Sequence, residues 1–112
     1  MTFDRGAIVL VPFPYSDLAA TKQRPALVLS SKAHNKHGDV VVCGLTSNLE
    51  NDDASVLVDD SDMAEGRLVV PSRIKVAHLQ TLHLSVIRRQ VARVKPTVMK
   101  QVWKELEALL SP

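Results

Sequence analysis

Two side chains in this sequence have the types and the setting to act on a phosphate group, Arg24 and Thr46. Arg24 stands between a polar stretch at 16–23 and an apolar run at 26–29. Pro25 fixes its own φ and favours an extended backbone at the residue before it, so we expect Arg24 where a loop enters a strand. An extended guanidinium can bind a phosphate through two parallel hydrogen bonds, although the same pattern also fits an ordinary surface arginine.

Thr46 and its neighbour Ser47 supply hydroxyls at the end of the third apolar run. If the second and third strands are antiparallel neighbours, Arg24 and these hydroxyls meet at one end of the sheet. The cation can then stabilise the charge of a pentacoordinate phosphorane, and the hydroxyl can orient one of its oxygens. Serine and threonine also end strands for purely structural reasons, so the sequence leaves both interpretations of Thr46 open.

The elements that must position these side chains are mostly short β-strands. Apolar runs between glycine, proline and polar turns predict strands at 6–11, 25–30, 40–46, 55–58, 68–76 and 90–94. Pro12 and Pro14 are expected to end the first strand, because proline cannot donate to a ladder. The segments 16–23 and 59–66 are interpreted as connections. We expect a helical turn within 31–37 and a turn or short helix at 79–87.

A helix is expected to begin at Pro96, a residue type that suits the first helical turn. Apolar residues from Val98 to Leu110 recur at helical spacing and form one stripe. Five or six short strands without helix-length crossovers, followed by this helix, predict a small β-barrel with helical cover. The length of 112 residues fits one domain spanning residues 1–112.

The composition is that of a folded protein with an uneven charge distribution. Hydrophobic residues make up 46% and charged residues 23%, which argues against global disorder. The net charge is +2, with acidic residues concentrated at 50–65 and basic residues at 88–104. This asymmetry permits a polyanionic partner on one face, and it equally fits two solvated faces.

Cysteine and histidine usage excludes several kinds of chemistry. Cys43 is the single cysteine and lies in an apolar run, so we interpret it as a core residue of a protein from a reducing, cytoplasmic compartment. His34 and His37 lack further ligands for a zinc set, and we expect no metal site. A P-loop, a Rossmann fingerprint and a nucleophile elbow are absent, so no cofactor is expected. Neither a signal peptide nor a run of transmembrane length is recognised, and no membrane association is expected.

Several blocks of the sequence resemble the MazF/PemK toxin family. The opening GAIVLVPFPYSD at 6–17 and KQRPALVLS at 22–30 together carry most of the resemblance. LTSN at 45–48 is similar to the family's third-strand motif, PSRIK at 71–75 to a later strand, and the terminal helix is similar too. The resemblance spans nearly the whole chain.

The resemblance implies an SH3-like β-barrel that forms a homodimer. It implies a metal-independent, sequence-specific endoribonuclease that acts on single-stranded RNA and uses the ribose 2′-hydroxyl as the nucleophile. The products carry a 2′,3′-cyclic phosphate. It further implies a cognate antitoxin protein whose disordered tail covers the RNA groove, and DNA binding together with that antitoxin. Because RNA itself supplies the nucleophile, neither a metal nor a cysteine or serine nucleophile is needed.

The resemblance also assigns catalytic roles to particular residues. Arg24 matches the catalytic arginine, which stabilises the transition state and is a candidate general acid. Thr46 matches the catalytic threonine or serine, and Ser47 is the alternative if the register slips by one residue. Asp17, the one acid in the 16–23 loop, is a further candidate because some relatives use a loop carboxylate as the base.

Other positions are matched to the RNA groove. Lys75 and Arg73 correspond to groove-lining positions, and Lys22 adds charge beside Arg24. Gln23 replaces a basic residue that the family often carries before Arg-Pro, which is expected to alter RNA affinity or base preference. Phe13 offers a ring on which a base could stack, although core packing explains it equally.

Two other functions remain open on the sequence. A toxin on the same barrel could bind a protein target such as DNA gyrase through an exposed C-terminal determinant and not cleave RNA. A binding module could also have kept the barrel and lost cleavage. The Arg24 and Thr46 pair favours the endoribonuclease.

Overall fold

The computed structural model describes residues 3–14, 21–51 and 54–112, with the side chains at positions 13, 14, 21 and 22 excluded. In these ranges seven strands form one antiparallel sheet in the order β4-β6-β3-β2-β1-β7-β5. The elements in chain order are β1 (Ala7–Pro14), β2 (Thr21–Val28), α1 (Lys32–Asn35), β3 (Asp39–Thr46), β4 (Ser55–Val58), β5 (Met63–Gly66), β6 (Ser72–His83), β7 (Arg89–Val94) and α2 (Pro96–Leu110). Short 3-10 turns occupy Asp60–Asp62 and Leu84–Val86.

The mainly β fold with a C-terminal helix is confirmed, and β4 and the start of α2 lie where the sequence places them. The expectation of five or six strands is wrong by one or two, because β5 lies in the acidic stretch interpreted as a connection. Only Met63 of its four residues is buried, so this edge strand lacks the alternation by which strands are recognised. The helical turn within 31–37 is confirmed as α1.

One face of the sheet packs under α2 and holds the larger apolar cluster. Ile8, Leu27 and Ile74 are fully buried in this cluster. The helix adds Val98 and Val102, and it contacts β4 and β6. Beyond Leu106 the stripe leaves the core, since Leu109 and Leu110 are exposed. We call this side of the sheet the helix face.

The opposite face, which we call the open face, holds a second and smaller apolar cluster. Val9, Ala26, Val28 and Val42 are fully buried there, and the cluster also contains Phe3. The two clusters alternate along β1, β2 and β3, as the two-residue period of a β-strand requires. Adjacent residues of β2 and β3 therefore serve different sides of the molecule.

The prediction that Pro12 and Pro14 end the first strand is wrong. Both lie inside β1, where Pro12 pairs with Gln23 and Pro14 with Thr21 of β2. On its other side β1 pairs with β7 only as far as Leu10. From Pro12 onward the described sheet offers β1 a partner on one side alone, and a strand edge is where proline is tolerated.

The prediction of a turn or short helix over 79–87 is also wrong for its first half. Strand β6 runs from Ser72 to His83, and only Leu84–Val86 forms a 3-10 turn. The pairing of β6 with β3 shifts between Cys43 and Gly44, whose partners are Leu79 and Lys75. This irregularity breaks the alternation of apolar residues in β6, which is why the spacing misleads. The expected strand over 68–71 is absent, because β6 begins only at Ser72.

Gly66 at the end of β5 is required by a close approach of two strands. Its φ is +72°, and a Cβ there would lie 2.2 Å from the Val91 carbonyl oxygen. A side chain at this position would separate β5 from β7.

Candidate active site

The site is built where β3, β6 and the edge strand β4 run side by side. Thr46, the last residue of β3, pairs with Arg73 of β6, and Arg73 pairs on its other side with Leu57 of β4. Directly paired residues of antiparallel strands project to the same face. Thr46 and Arg73 are both half-buried and belong to the open face.

Arg24 reaches the same row from the other neighbour of β3. Strands β2 and β3 are antiparallel neighbours, the condition under which the sequence predicts that Arg24 and Thr46 meet, with Ala26 opposite Gly44. Continued by two residues, this register sets Arg24 level with Thr46 on the open face. Arg24 is half-buried and pairs with Val11 of β1.

Arg24 does not stand where a loop enters a strand, as the sequence suggested. Strand β2 already begins at Thr21, so Arg24 is its fourth residue and has a paired strand beside it. Its backbone is therefore fixed by the sheet as well as by Pro25.

Lys75 lies two residues after Arg73 in β6 and therefore on the same face of the sheet. It pairs with Gly44 of β3 and with Ser55 of β4. Gly44 has no side chain to cover this part of the face. The open face thus changes along its strands from the apolar cluster at Val42 to a row of cations and a hydroxyl around Thr46.

Hydrogen bonds fix the turn that follows Thr46. The Thr46 Oγ1 atom accepts from the Asn48 N–H at 3.2 Å, and Asn48 Oδ1 accepts from the Glu50 N–H at 3.1 Å. Arg73 donates from Nε to the Leu49 carbonyl at 3.0 Å and from Nη1 to Ser55 Oγ at 3.3 Å. The threonine hydroxyl and the arginine are thus joined through one short turn.

The other sequence-predicted residues divide into three groups. Ser47 is exposed and lies beyond the end of β3, outside the row that holds Thr46. Gln23 is exposed in β2 and pairs with Pro12. Because it is adjacent to Arg24 in the strand, its side chain belongs to the face of the sheet opposite to that of Arg24. The backbones of Phe13 and Lys22 pair with each other, but their side chains lie outside the described part of the chain. Asp17 lies outside the described residues altogether.

Sequence reasoning missed Asn48, Leu49 and Ser55 as parts of the site. The run Thr-Ser-Asn directly after a strand does carry a signal, because these side chains commonly accept hydrogen bonds from backbone N–H groups two residues on. The contact from Arg73 to the Leu49 carbonyl spans 24 positions and leaves no local trace in the sequence.

Cys43, His34 and His83 lie outside this site. Burial raises the pKa of the Cys43 thiol to about 12, as expected for a core residue. His34 lies in α1, and His83 Nδ1 is 2.8 Å from Ser85 Oγ at the far end of β6.

Among the side chains of residues 3–12, 23–51 and 54–112, no three of His, Cys, Asp and Glu come together as a metal-binding group. In the described part of the chain, no helix combines the length and the hydropathy that crossing a bilayer requires.

Comparison with known proteins assigns the chain to a family. Residues 4–110 match the model of the PemK-like, MazF-like toxin of type II toxin-antitoxin systems. The chain therefore belongs to the PemK/MazF toxin family, as its sequence motifs indicated. No curated protein sequence matches it significantly.

Solved structures agree with this assignment. A MazE-MazF structure (Form-III) from Deinococcus radiodurans is 28% identical, with a TM-score of 0.81, over 98% of this chain and 97% of that one. An endoribonuclease in complex with its cognate antitoxin from Mycobacterial species has a TM-score of 0.79 at 23% identity, over 98% of this chain and 97% of that one. The Mycobacterium tuberculosis toxin MazF-mt6 has a TM-score of 0.74 at 20% identity, over 91% and 93%. The latter two resemble the chain in fold.

Proposed function

We propose that this chain is the endoribonuclease toxin of a toxin–antitoxin pair and that it cleaves single-stranded RNA at the row of Arg24, Thr46 and Arg73. The observation that carries the proposal is the Thr46–Arg73 pair on the open face, with Arg24 level with it by register. Family membership supports the reaction class, since the named relatives include an endoribonuclease with its antitoxin.

The proposed reaction needs no group from outside the RNA and the protein. The 2′-hydroxyl oxygen attacks the adjacent phosphorus, the bond to the 5′-oxygen breaks, and a 2′,3′-cyclic phosphate and a 5′-hydroxyl end result. The 2′-hydroxyl loses its proton, and the leaving 5′-oxygen gains one. Nucleophile and phosphate share one ribose, so the protein's task is to orient them and to stabilise the charge that develops.

Arg24 and Thr46 divide that task. The Arg24 guanidinium binds the nonbridging oxygens, on which charge increases in the transition state, and it is the candidate donor to the leaving oxygen. Thr46 Oγ1 already accepts from the Asn48 N–H, which favours turning its own proton toward a phosphate oxygen. The candidate base is Asp17, with Ser47 as the alternative hydroxyl.

The RNA backbone is expected to follow the cationic part of the open face. Lys75 and Arg73 lie there on β6. Lys22 and Phe13 are further proposed RNA contacts, whereas Gln23 belongs to the other side of the sheet and is not placed in this groove. Single-stranded RNA is bound by such combinations of cations and stacking rings. We further propose a homodimer, a cytoplasmic location, and an antitoxin that covers this groove and binds DNA in complex with the toxin.

The test is to incubate the purified protein with a long RNA in the presence of EDTA and to map the new ends. We expect cleavage at a recurring sequence, with 2′,3′-cyclic phosphate and 5′-hydroxyl ends. The cleavage rate should fall by about 100-fold or more in both Arg24→Ala and Thr46→Ala. Intact RNA together with inhibition of DNA gyrase would contradict the proposal and favour a toxin that acts on a protein.

A further inference from the structure

We propose that Arg73 is a positioning residue that fixes the Thr46 hydroxyl through the 46–50 turn, and that this is its main contribution to cleavage. The inference rests on the proposed function, because it assigns Thr46 to the reaction. It differs from the groove position that the family resemblance implies for Arg73, namely a cation that contacts an RNA phosphate directly.

The first argument is the direction of the Arg73 side chain. Arg73 pairs with Thr46 on one side and with Leu57 on the other, so its Cβ lies between β3 and β4. Its guanidinium bonds to Ser55 Oγ on β4 and to the Leu49 carbonyl in the turn after β3. It therefore bridges the edge strand and the turn, and two of its donors are engaged within the protein.

The second argument is that the bonded carbonyl belongs to the turn that holds the threonine. Leu49 lies between Asn48, whose N–H donates to Thr46 Oγ1, and Glu50, whose N–H donates to Asn48 Oδ1. Residues 47–50 are all exposed and lack apolar burial to hold them. A charge-assisted hydrogen bond to the Leu49 carbonyl is thus a main restraint on this turn.

The consequence concerns the hydroxyl. An Asn48 N–H held in place occupies an acceptor position of Thr46 Oγ1 and leaves the hydroxyl proton as donor to the phosphate. If the turn moves, the hydroxyl can rotate, and a misplacement of about 1 Å costs on the order of 100-fold in rate. Lysine cannot replace arginine here, because its single ammonium lacks the planar fork that reaches both partners.

The experiment compares Arg73→Lys, Arg73→Met and the control Arg89→Met, which removes an exposed cation from β7. For the positioning role we expect kcat to fall about 10- to 100-fold in both Arg73 variants. The dissociation constant for an uncleavable 2′-deoxy substrate, and its salt dependence, should stay near those of the control. A direct contact between Arg73 and an RNA phosphate predicts a different result. Arg73→Lys should then stay largely active, and Arg73→Met should reduce the slope of log binding constant against log salt concentration by about 0.7.

A double-mutant cycle tests the link to Thr46. In the wild-type background, Arg73→Met should lower the cleavage rate. In a Thr46→Ala background, the same substitution should change the cleavage rate by less than about twofold. Equal losses in both backgrounds would overturn the inference.

A third measurement does not depend on cleavage, so that failure of this inference can be told from failure of the proposed function. In wild type and Arg89→Met, the 15N order parameters of the Asn48 and Glu50 amides should be about 0.85, which is the value of a rigid backbone. In Arg73→Met they should fall toward about 0.6. Unchanged order parameters would overturn the positioning role whether or not the protein cleaves RNA. A loosened turn in a protein that leaves RNA intact would refute the proposed function and the catalytic part of this inference together.

Discussion

The two faces of the sheet are made from the same strands but differ in what their residues do. Under α2 the helix face is apolar along its length, from Leu27 and Cys43 to Leu45 and Ile74. The open face is apolar around Val42 and becomes polar and cationic at Thr46 and its neighbours. Because side chains alternate, a stable strand can carry a functional residue next to a core residue. Substitutions on the two faces should therefore separate stability from activity.

Cys43 gives the largest expected effect on the helix face. Its pKa of about 12 lies above the ordinary value of 9.0 because the thiol is buried. Near pH 8 the thiolate fraction should be about a thousandfold smaller than in the unfolded chain, so labelling by iodoacetamide should be slower by a similar factor. Rapid labelling of the native protein would show that this face is not sealed.

The same thiol predicts an alkaline loss of stability. Since the folded state keeps a proton that the unfolded state releases, the contribution is complete below pH 9.0 and is lost progressively toward pH 12. The unfolding free energy of wild type should fall in that window more steeply than that of Cys43→Ala. Parallel pH profiles would contradict the assigned shift.

Arg24→Ala should give the largest loss on the open face. Removing a group that stabilises transition-state charge typically slows a reaction about 100- to 1,000-fold. The urea midpoint should change little, because Arg24 is only half-buried. The matched control Arg89→Ala, exposed on β7, should cleave RNA like wild type.

Val102→Ala should show the opposite separation. Val102 belongs to α2 and is fully buried on the side of the helix that packs on the sheet. The loss of two methyl groups plus a cavity should cost about 2 kcal/mol of unfolding free energy. Cleavage per folded molecule should stay at the wild-type level. Leu110→Ala is the control, because Leu110 is exposed on the same helix and should change stability by less than about 0.5 kcal/mol.

Asp4→Asn should give the smallest effect, away from both faces. The pKa of Asp4 is lowered because its carboxylate accepts from the backbone N–H groups of Arg5 and Lys32. Its contribution is present above pH 3.8 and is lost as the pH falls through the lowered folded value. The urea midpoints of wild type and Asp4→Asn should converge on acidification, and a constant gap would contradict this.

Much of this division can be predicted from the sequence, where strands carry continuous or alternating apolar residues. The antiparallel pairing of β2 with β3 is assumed at the sequence level and found in the structure, and it brings Arg24 and Thr46 to one end of the sheet. Strand β5 and the extension of β1 through Pro14 cannot be predicted, because both depend on which neighbouring strands happen to be present. The contact of Arg73 with Leu49 depends on the arrangement of three strands and one turn, and local patterns do not encode it.

The most direct test of the account is the rate of RNA cleavage by Thr46→Val. This substitution replaces the hydroxyl with a methyl group and keeps the β-branched shape at the end of β3. We predict that the cleavage rate falls about 100-fold, because one positioned hydrogen-bond donor is removed. The urea midpoint should stay unchanged. Wild-type cleavage by a folded Thr46→Val protein would contradict the assignment of the open face as the active site.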